Sequence, residues 1–384
     1  MPTLRQSVER ARDAGSLPAD GGDSVRQLLR RFTPGSGSVR ALLPKMSQPQ
    51  RLPWAVILCR FKGEQSDPAT DRFYREMFTP GTGGMVEYWR DASLGAIDIA
   101  GSRVFEVELD LERKNAGVGA GHGRSKSVDA AIAAVQRDGG DPVTGFHSQI
   151  AVLHHNWSRD DVPPGLDWQD PQWGKYWIDG SADGRGKVCL TPPHNGNITA
   201  HEMGHGFGMN HDVGADFTTH YADPCCIMSQ NQPFTHPTWN RAFGPALCLP
   251  HLEQQGWMYK RRLYYDAGDW MTHADGITLP LAPISRPGAR ANLGIKLAYA
   301  KGNDRWDYYI EYVIPADWNR GVPGAPYVFI RRIAQADVGP TPDYLGFIQI
   351  ERTTELVEPS GNVRFRAELT SLPGPILRVS AAKL

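Results

Sequence analysis

The sequence lacks the features that mark a disulfide scaffold, a membrane protein or a nucleic-acid binder. Only five of its 384 residues are cysteines, and no two of them form a C-x-x-C pair. Its 41 basic and 42 acidic residues leave a net charge of -1, so no overall field attracts nucleic acid or an anionic membrane. The longest apolar runs, such as residues 54–59, have the length of a strand, whereas a membrane helix needs about 20 apolar residues. We therefore predict a globular protein with no nucleic-acid partner and no membrane insertion.

The N-terminal residues also lack the apolar segment of a secretory signal. Glu9, Arg10, Arg12 and Asp13 interrupt the region where such a segment would lie. The sequence is therefore compatible with a cytoplasmic protein, with export by a non-standard route, or with a mature form that has lost its leader.

The cysteines predict at least one free thiol because their number is odd. In an oxidising compartment, the neighbours Cys225 and Cys226 could pair with Cys248 or Cys189. Buried free thiols are the favoured interpretation.

The order of predicted elements divides the chain into three regions. Residues 1–51 predict a helical extension followed by a linker rich in Pro, Gly and Ser. Residues 52–260 predict a mixed α/β domain, and residues 261–384 an all-β domain of short strands between turns. In the second region, we expect strands at 54–59, 96–100, 104–109 and 149–154. In the same region, we expect helices at 71–78, 85–92 and 128–137. In the third region, we expect strands near 264, 277–281, 294–300, 307–313, 327–331, 345–351 and 363–369.

One short stretch carries most of the chemical information. His201 and His205 are four residues apart, so on a helix both imidazoles leave the same face and can bind one ion. Glu202 lies beside them, where a carboxylate can serve as a general base toward water. Gly208 can end the helix with a positive φ, and the chain then returns His211 as a third nitrogen ligand. Three protein ligands leave zinc an open fourth position, which is typical of a catalytic site.

These residues match the motif H-E-x-x-H-x-x-G-x-x-H, and the region resembles the metzincin zinc metallopeptidases. Residues 81–101 and the β-rich residues 307–332 are most similar to the immune-inhibitor-A-like and gametolysin-like families. The resemblance implies an α/β metzincin-like catalytic domain followed by an all-β module. It also implies one catalytic zinc ion and an endopeptidase that hydrolyses peptide bonds through a zinc-activated water, with Glu202 as general base and a protein or peptide as substrate.

The resemblance assigns further roles near this motif. Metzincins have a methionine in a tight turn beneath the zinc ligands, and Met228, 17 residues after His211, is the candidate. Asp212 resembles the aspartate that ties down this Met-turn in one branch, although a solvated turn residue is an equal alternative. Some branches have a zinc-binding tyrosine two residues after the methionine, but position 230 is Gln. An edge strand within 174–190 would align the substrate.

Two alternatives remain open. The chain could be a non-catalytic protein- or glycan-binding module with a structural zinc site, although the intact Glu202 argues against it, or a zinc amidase with a non-protein substrate. Residues 179–186 have the composition of a calcium loop without its spacing, so they predict a turn, and structural calcium is unsupported. The sequence does not define the oligomeric state.

Overall fold

We describe the protein from a computed structural model of the 384-residue chain. The structure describes residues 48–113, 124–155, 179–180, 186–215, 219, 221–229, 232–302, 304–322, 324, 326–335, 341–350, 352, 354–369 and 376–384. The helices predicted within residues 1–51 lie outside these ranges.

The described chain mixes helices with several sheets. The α-helices are α1 (Pro68–Met77), α2 (Met85–Ala92), α3 (Arg124–Arg137), α4 (Gly196–Gly206) and α5 (Leu249–Gln254). The strands are β1 (Gln50–Arg51), β2 (Trp54–Arg60), β3 (Ile97–Asp98), β4 (Arg103–Glu108), β5 (Ser148–Leu153), β6 (Asp179–Gly180), β7 (Val188–Leu190), β8 (Val213–Gly214), β9 (Phe234–Thr235), β10 (Ala242–Phe243), β11 (Leu263–Asp266), β12 (Ile277–Leu281), β13 (Gly294–Lys301), β14 (Asp304–Val313), β15 (Tyr327–Ala334), β16 (Asp343–Gln349), β17 (Glu355–Val357), β18 (Val363–Leu369) and β19 (Leu377–Lys383). The mixed α/β class predicted for the chain is confirmed.

A five-stranded sheet in the order β4-β2-β5-β7-β6 organises the first half of the chain. Strands β4, β2, β5 and β7 run parallel, and β6 pairs antiparallel with β7 at the edge. Successive side chains of a strand point to opposite faces. On one face, Trp54, Val56 and Leu58 of β2 pack in a core with α1, α2 and α4. On the other face, Ile57 and Cys59 pack in a second core with α3. Helices therefore cover both faces, which explains why residues 54–59 form a continuous apolar run.

The second half contains two sheets that pack face to face. One has the order β11-β13-β14-β15-β16-β8, and the other the order β12-β19-β18-β17. On β14, Tyr308, Ile310 and Tyr312 point into the core between these sheets, whereas Tyr309 and Val313 point toward the first half of the chain. The six-stranded sheet is thus buried on both faces.

Contacts cross residue 260 at several places. Strand β8, directly after the zinc motif, pairs in parallel with β16, and the largest core contains residues from both halves. The division into domains 52–260 and 261–384 stays a prediction, and the structure shows one core shared across it.

All five cysteines belong to the described part of the chain, where they are buried and outside any disulfide. Among the described helices, none is long and apolar enough to cross a lipid bilayer.

Candidate metal centre

Helix α4 presents the first half of the zinc motif. Its N-terminus is capped by Asn195, whose side chain accepts a hydrogen bond from Ile198 N at 2.8 Å. It ends at the C-cap Phe207, and Gly208 follows with a φ of 86°, a left-handed conformation that glycine adopts without strain. The chain reverses there as the sequence predicts, and His211 returns to the helix.

The three histidines of the motif converge through their Nε2 atoms. His211 Nε2 lies 2.8 Å from His205 Nε2 and 3.2 Å from His201 Nε2, and all three rings are half-buried. Two nitrogens on a tetrahedral zinc ion with bonds of 2.0–2.1 Å would lie about 3.3 Å apart. The spacing of the rings is therefore close to that of a zinc ligand set.

Hydrogen bonds at the opposite ring nitrogens fix the tautomers of two of these histidines. His201 Nδ1 donates to the Ile227 carbonyl at 2.6 Å, and His205 Nδ1 donates to the Met209 carbonyl at 2.8 Å. A carbonyl can only accept, so each Nδ1 carries the proton. Burial, followed by the nearby His205, lowers the pKa of His201 to about 4, and burial also lowers the pKa of His205. At neutral pH both rings are therefore uncharged, with Nε2 lone pairs that face the same point.

Nitrogen lone pairs so close to one another repel unless a proton or a cation lies between them. Two of the three imidazoles, His201 and His205, are neutral and are each oriented by a carbonyl on the other side of the ring, which is the usual arrangement around protein-bound zinc. The residues present thus fit a zinc ion.

Glu202 and Met228 are both buried at helix α4. Glu202 follows His201 on α4, and its side chain is 3% exposed. Met228 is fully buried beneath α4, where a Cβ at Gly204 would overlap its sulfur atom. The turn that contains Met228 also supplies the Ile227 carbonyl to His201, so one segment both supports the helix and orients a ligand.

Asp212 lies beside this turn and is fully buried. Its backbone N–H donates to the Met228 carbonyl at 3.1 Å. Its side-chain carboxylate accepts a hydrogen bond from His251 at 2.8 Å. The solvated alternative for Asp212 is therefore wrong, because no part of its side chain reaches solvent.

Tyr221 is a site residue that the sequence motif does not indicate. Its hydroxyl lies 3.1 Å from His211 Nε2, and the two rings are 4.3 Å apart. Its backbone has a φ of 62°, an unfavourable conformation for a side chain of this size. The sequence analysis considered a tyrosine only after Met228, whereas Tyr221 precedes the methionine. The position of Tyr221 in the short interval between His211 and Met228 could have indicated it.

Other predicted features lie around the centre. The edge strand expected within 174–190 corresponds in part to β6, which contacts α4, although residues 174–178 and 181–185 lie outside the described residues. Phe234, six residues after Met228, is buried against Arg320. The nearby His194 is bonded to Tyr74 and to the Leu153 carbonyl, which is a structural role.

Comparisons with known proteins add little to this geometry. No family model matches the chain, and no curated protein matches it significantly. Wild-type OgpA from Akkermansia muciniphila is 9% identical, with a TM-score of 0.32 over 91% of this chain and 98% of that chain. Catalytically inactive OgpA of the same organism, solved with an O-glycopeptide, glycodrosocin, is 9% identical, with a TM-score of 0.30 over 91% and 96%. Likenesses of this size carry no argument about the chemistry of this chain.

Proposed function

We propose that the chain is a zinc-dependent endopeptidase. The observation that carries the proposal is the convergence of three Nε2 atoms: that of His211 lies 2.8 Å from His205 Nε2 and 3.2 Å from His201 Nε2. Helix α4, which carries His201 and His205, also carries the buried Glu202. Three ligands on a half-exposed surface leave room for a substrate, which a closed structural site does not.

Zinc at these three nitrogens would supply Lewis-acid polarisation of the scissile carbonyl and would acidify a water molecule. Glu202 is the general base: its carboxylate accepts a proton from the attacking water and then delivers it to the nitrogen of the leaving amine. Because Glu202 is 3% exposed, little bulk water competes for that proton.

Tyr221 is positioned to stabilise the charge that develops on the carbonyl oxygen. Its hydroxyl is within hydrogen-bonding distance of His211 Nε2 and therefore lies next to the centre rather than behind it. A hydroxyl donor oriented in advance stabilises an oxyanion without reorganisation during the reaction.

The edge of the five-stranded sheet is the place for an extended substrate. Strand β6 is the last strand of that sheet and contacts α4. A peptide that pairs with an edge strand gains main-chain hydrogen bonds that do not depend on its sequence. We infer that the substrate is an extended peptide segment. Met228 serves as the Met-turn residue beneath the ligands.

Digestion of a broad peptide library tests the proposal. We expect cleavage by the purified chain, its loss after treatment with a chelator, and its return on addition of zinc. A zinc-loaded protein that cleaves no peptide of the library would contradict the proposal and favour the binding module.

A further inference from the structure

A second group of metal-ligating side chains lies behind the histidine triad. It consists of Asp212, Cys226, Cys248 and His251, which are all fully buried. One donor atom of each lies within 4.8 Å of the corresponding atoms of the other three. We call this group the buried cluster.

Two donor distances within the buried cluster are near those around a tetrahedral ion. His251 Nε2 lies 2.8 Å from one carboxylate oxygen of Asp212, and Cys248 Sγ lies 3.8 Å from the other. With zinc bonds of 2.0–2.2 Å to nitrogen and oxygen and 2.3 Å to sulfur, we expect about 3.3 Å between nitrogen and oxygen and about 3.5 Å between sulfur and oxygen. The two measured distances differ from those values by a few tenths of an ångström.

The local structure also has the form of a zinc site. Cys248 is the N-cap residue of α5, and His251 lies within the first turn of that helix, so the C-x-x-H spacing places both side chains on one side. Asp212 and Cys226 come from two other segments, so three separated parts of the chain provide the four donors. Two cysteines, a histidine and a carboxylate are a ligand set that zinc accepts.

We propose that the buried cluster binds a second zinc ion in a closed, four-ligand structural site. The absence of solvent at all four side chains leaves no position for a substrate, so this ion would be structural. The inference does not depend on the histidine triad binding zinc.

Without a metal, hydrogen bonds to the Asp212 carboxylate hold the buried cluster together. His251 Nε2 donates to one carboxylate oxygen of Asp212 and Cys248 Sγ to the other, so two of the proposed ligands already face the carboxylate of a third. Zinc binds cysteine as the thiolate, so Cys226 and Cys248 must lose their thiol protons to become ligands. Binding of a divalent ion would release these protons, and the thiolates would become ligands.

A zinc ion at this place would rigidify the catalytic region. Asp212 directly follows His211, and its backbone N–H donates to the Met228 carbonyl. Cys226 directly precedes Ile227, whose carbonyl orients His201. The second ion would therefore connect the segment that contains His211 to the turn whose carbonyl orients His201.

Cobalt substitution combined with metal analysis of the full chain tests the proposal. We expect about two zinc ions per wild-type chain, and about one in Cys226→Ser/Cys248→Ser and in His201→Ala/His205→Ala. With Co²⁺ in place of zinc, we expect a thiolate-to-metal charge-transfer band in the wild type and in His201→Ala/His205→Ala, because the triad has no sulfur ligand. Cys225→Ser, which replaces a buried neighbouring thiol outside the cluster, is the matched control and should retain the band.

The band decides the proposal even if the cysteine variant does not fold. A wild-type protein without the band at saturating Co²⁺, or a band that Cys225→Ser removes, would overturn it. A non-reduced protein with Cys226 linked to Cys248 by a disulfide would overturn it as well. If the band is present but zinc content does not change in His201→Ala/His205→Ala, the buried cluster binds metal and the proposed function fails, so the two failures are distinguishable.

Discussion

The histidine triad and the buried cluster lie side by side but have opposite surroundings. His201, His205 and His211 are half-buried and offer three nitrogens. Asp212, the first residue after the triad, belongs to a group of four donors that solvent does not reach. The side chains of the neighbouring residues His211 and Asp212 thus lie in two different environments, one half-buried and one fully buried.

Under the two proposals, one short segment contributes to both reactivity and stability. A metal site with an open position can bind and activate another molecule, whereas a closed site contributes only to the folded structure. The triad is therefore expected to determine activity. The buried groups behind it are expected to determine how firmly the triad is positioned.

The largest effect should come from removal of a triad ligand. We expect His205→Ala to lose peptide hydrolysis below detection and to lose the zinc of the triad, because one of three protein ligands is removed. His155→Ala is the control, since His155 is half-exposed and contacts Glu64. Metal analysis and hydrolysis rates of both variants check this, and full activity in His205→Ala would show that the triad is not the reactive centre.

A second effect concerns Arg331, a buried residue of β15 that connects the two halves of the chain. Its guanidinium donates to the buried carboxylates of Asp223 and Glu311, and Asp223 in turn accepts a hydrogen bond from Cys225 N at 2.8 Å. Arg331→Met would leave two buried acids without their cation, and we expect a loss of about 3–5 kcal/mol in the free energy of unfolding.

Arg366 provides the matched control for that experiment. It forms an exposed ion pair with Glu355 at 3.1 Å, and its replacement by Met should cost at most about 1 kcal/mol. Urea unfolding of both variants gives the comparison. Equal losses would mean that the buried network does not support the region behind the triad.

Tyr221→Phe should lower activity without removal of the metal. The substitution deletes the hydroxyl near His211 but preserves the ring, and the loss of one such donor typically costs about 10²- to 10³-fold in kcat. We expect unchanged zinc content and a fall in kcat rather than a rise in KM. A variant with wild-type kcat would assign Tyr221 a packing role.

Met228→Leu should produce the smallest effect. Met228 packs beneath α4 against Gly204, and a swap of similar volume usually costs less than about 1.5 kcal/mol. Most of the activity should remain, because the sulfur is a packing atom in this account. Thermal unfolding and hydrolysis rates test this, and loss of zinc from the variant would contradict it.

The sequence predicted the parts of the molecule that depend on local spacing. His201, Glu202 and His205 are placed by one helix, and Gly208 by its need for a positive φ, so a single stretch contains the information. Most strands of both halves were predicted near their observed bounds for the same reason, since alternation of apolar residues is a local pattern.

The parts that the sequence did not predict depend on contacts between distant segments. Arg331 meets Asp223 across 108 positions, and no local pattern connects them. Helix α5 was missed because six residues, one of them Pro250, give too little helical periodicity. Strand β19 was missed because it follows a Pro- and Gly-rich stretch that resembles a tail.

The central claim is that Glu202 acts as a general base beside a zinc-binding triad, and Glu202→Gln tests it most directly. The amide preserves the size of the side chain but cannot accept a proton, and loss of such a base typically costs about 10²- to 10⁴-fold in rate. Zinc content and peptide hydrolysis should be measured on one preparation. The account predicts a folded protein with wild-type zinc content and hydrolysis reduced by that factor, whereas undiminished hydrolysis by Glu202→Gln would contradict it.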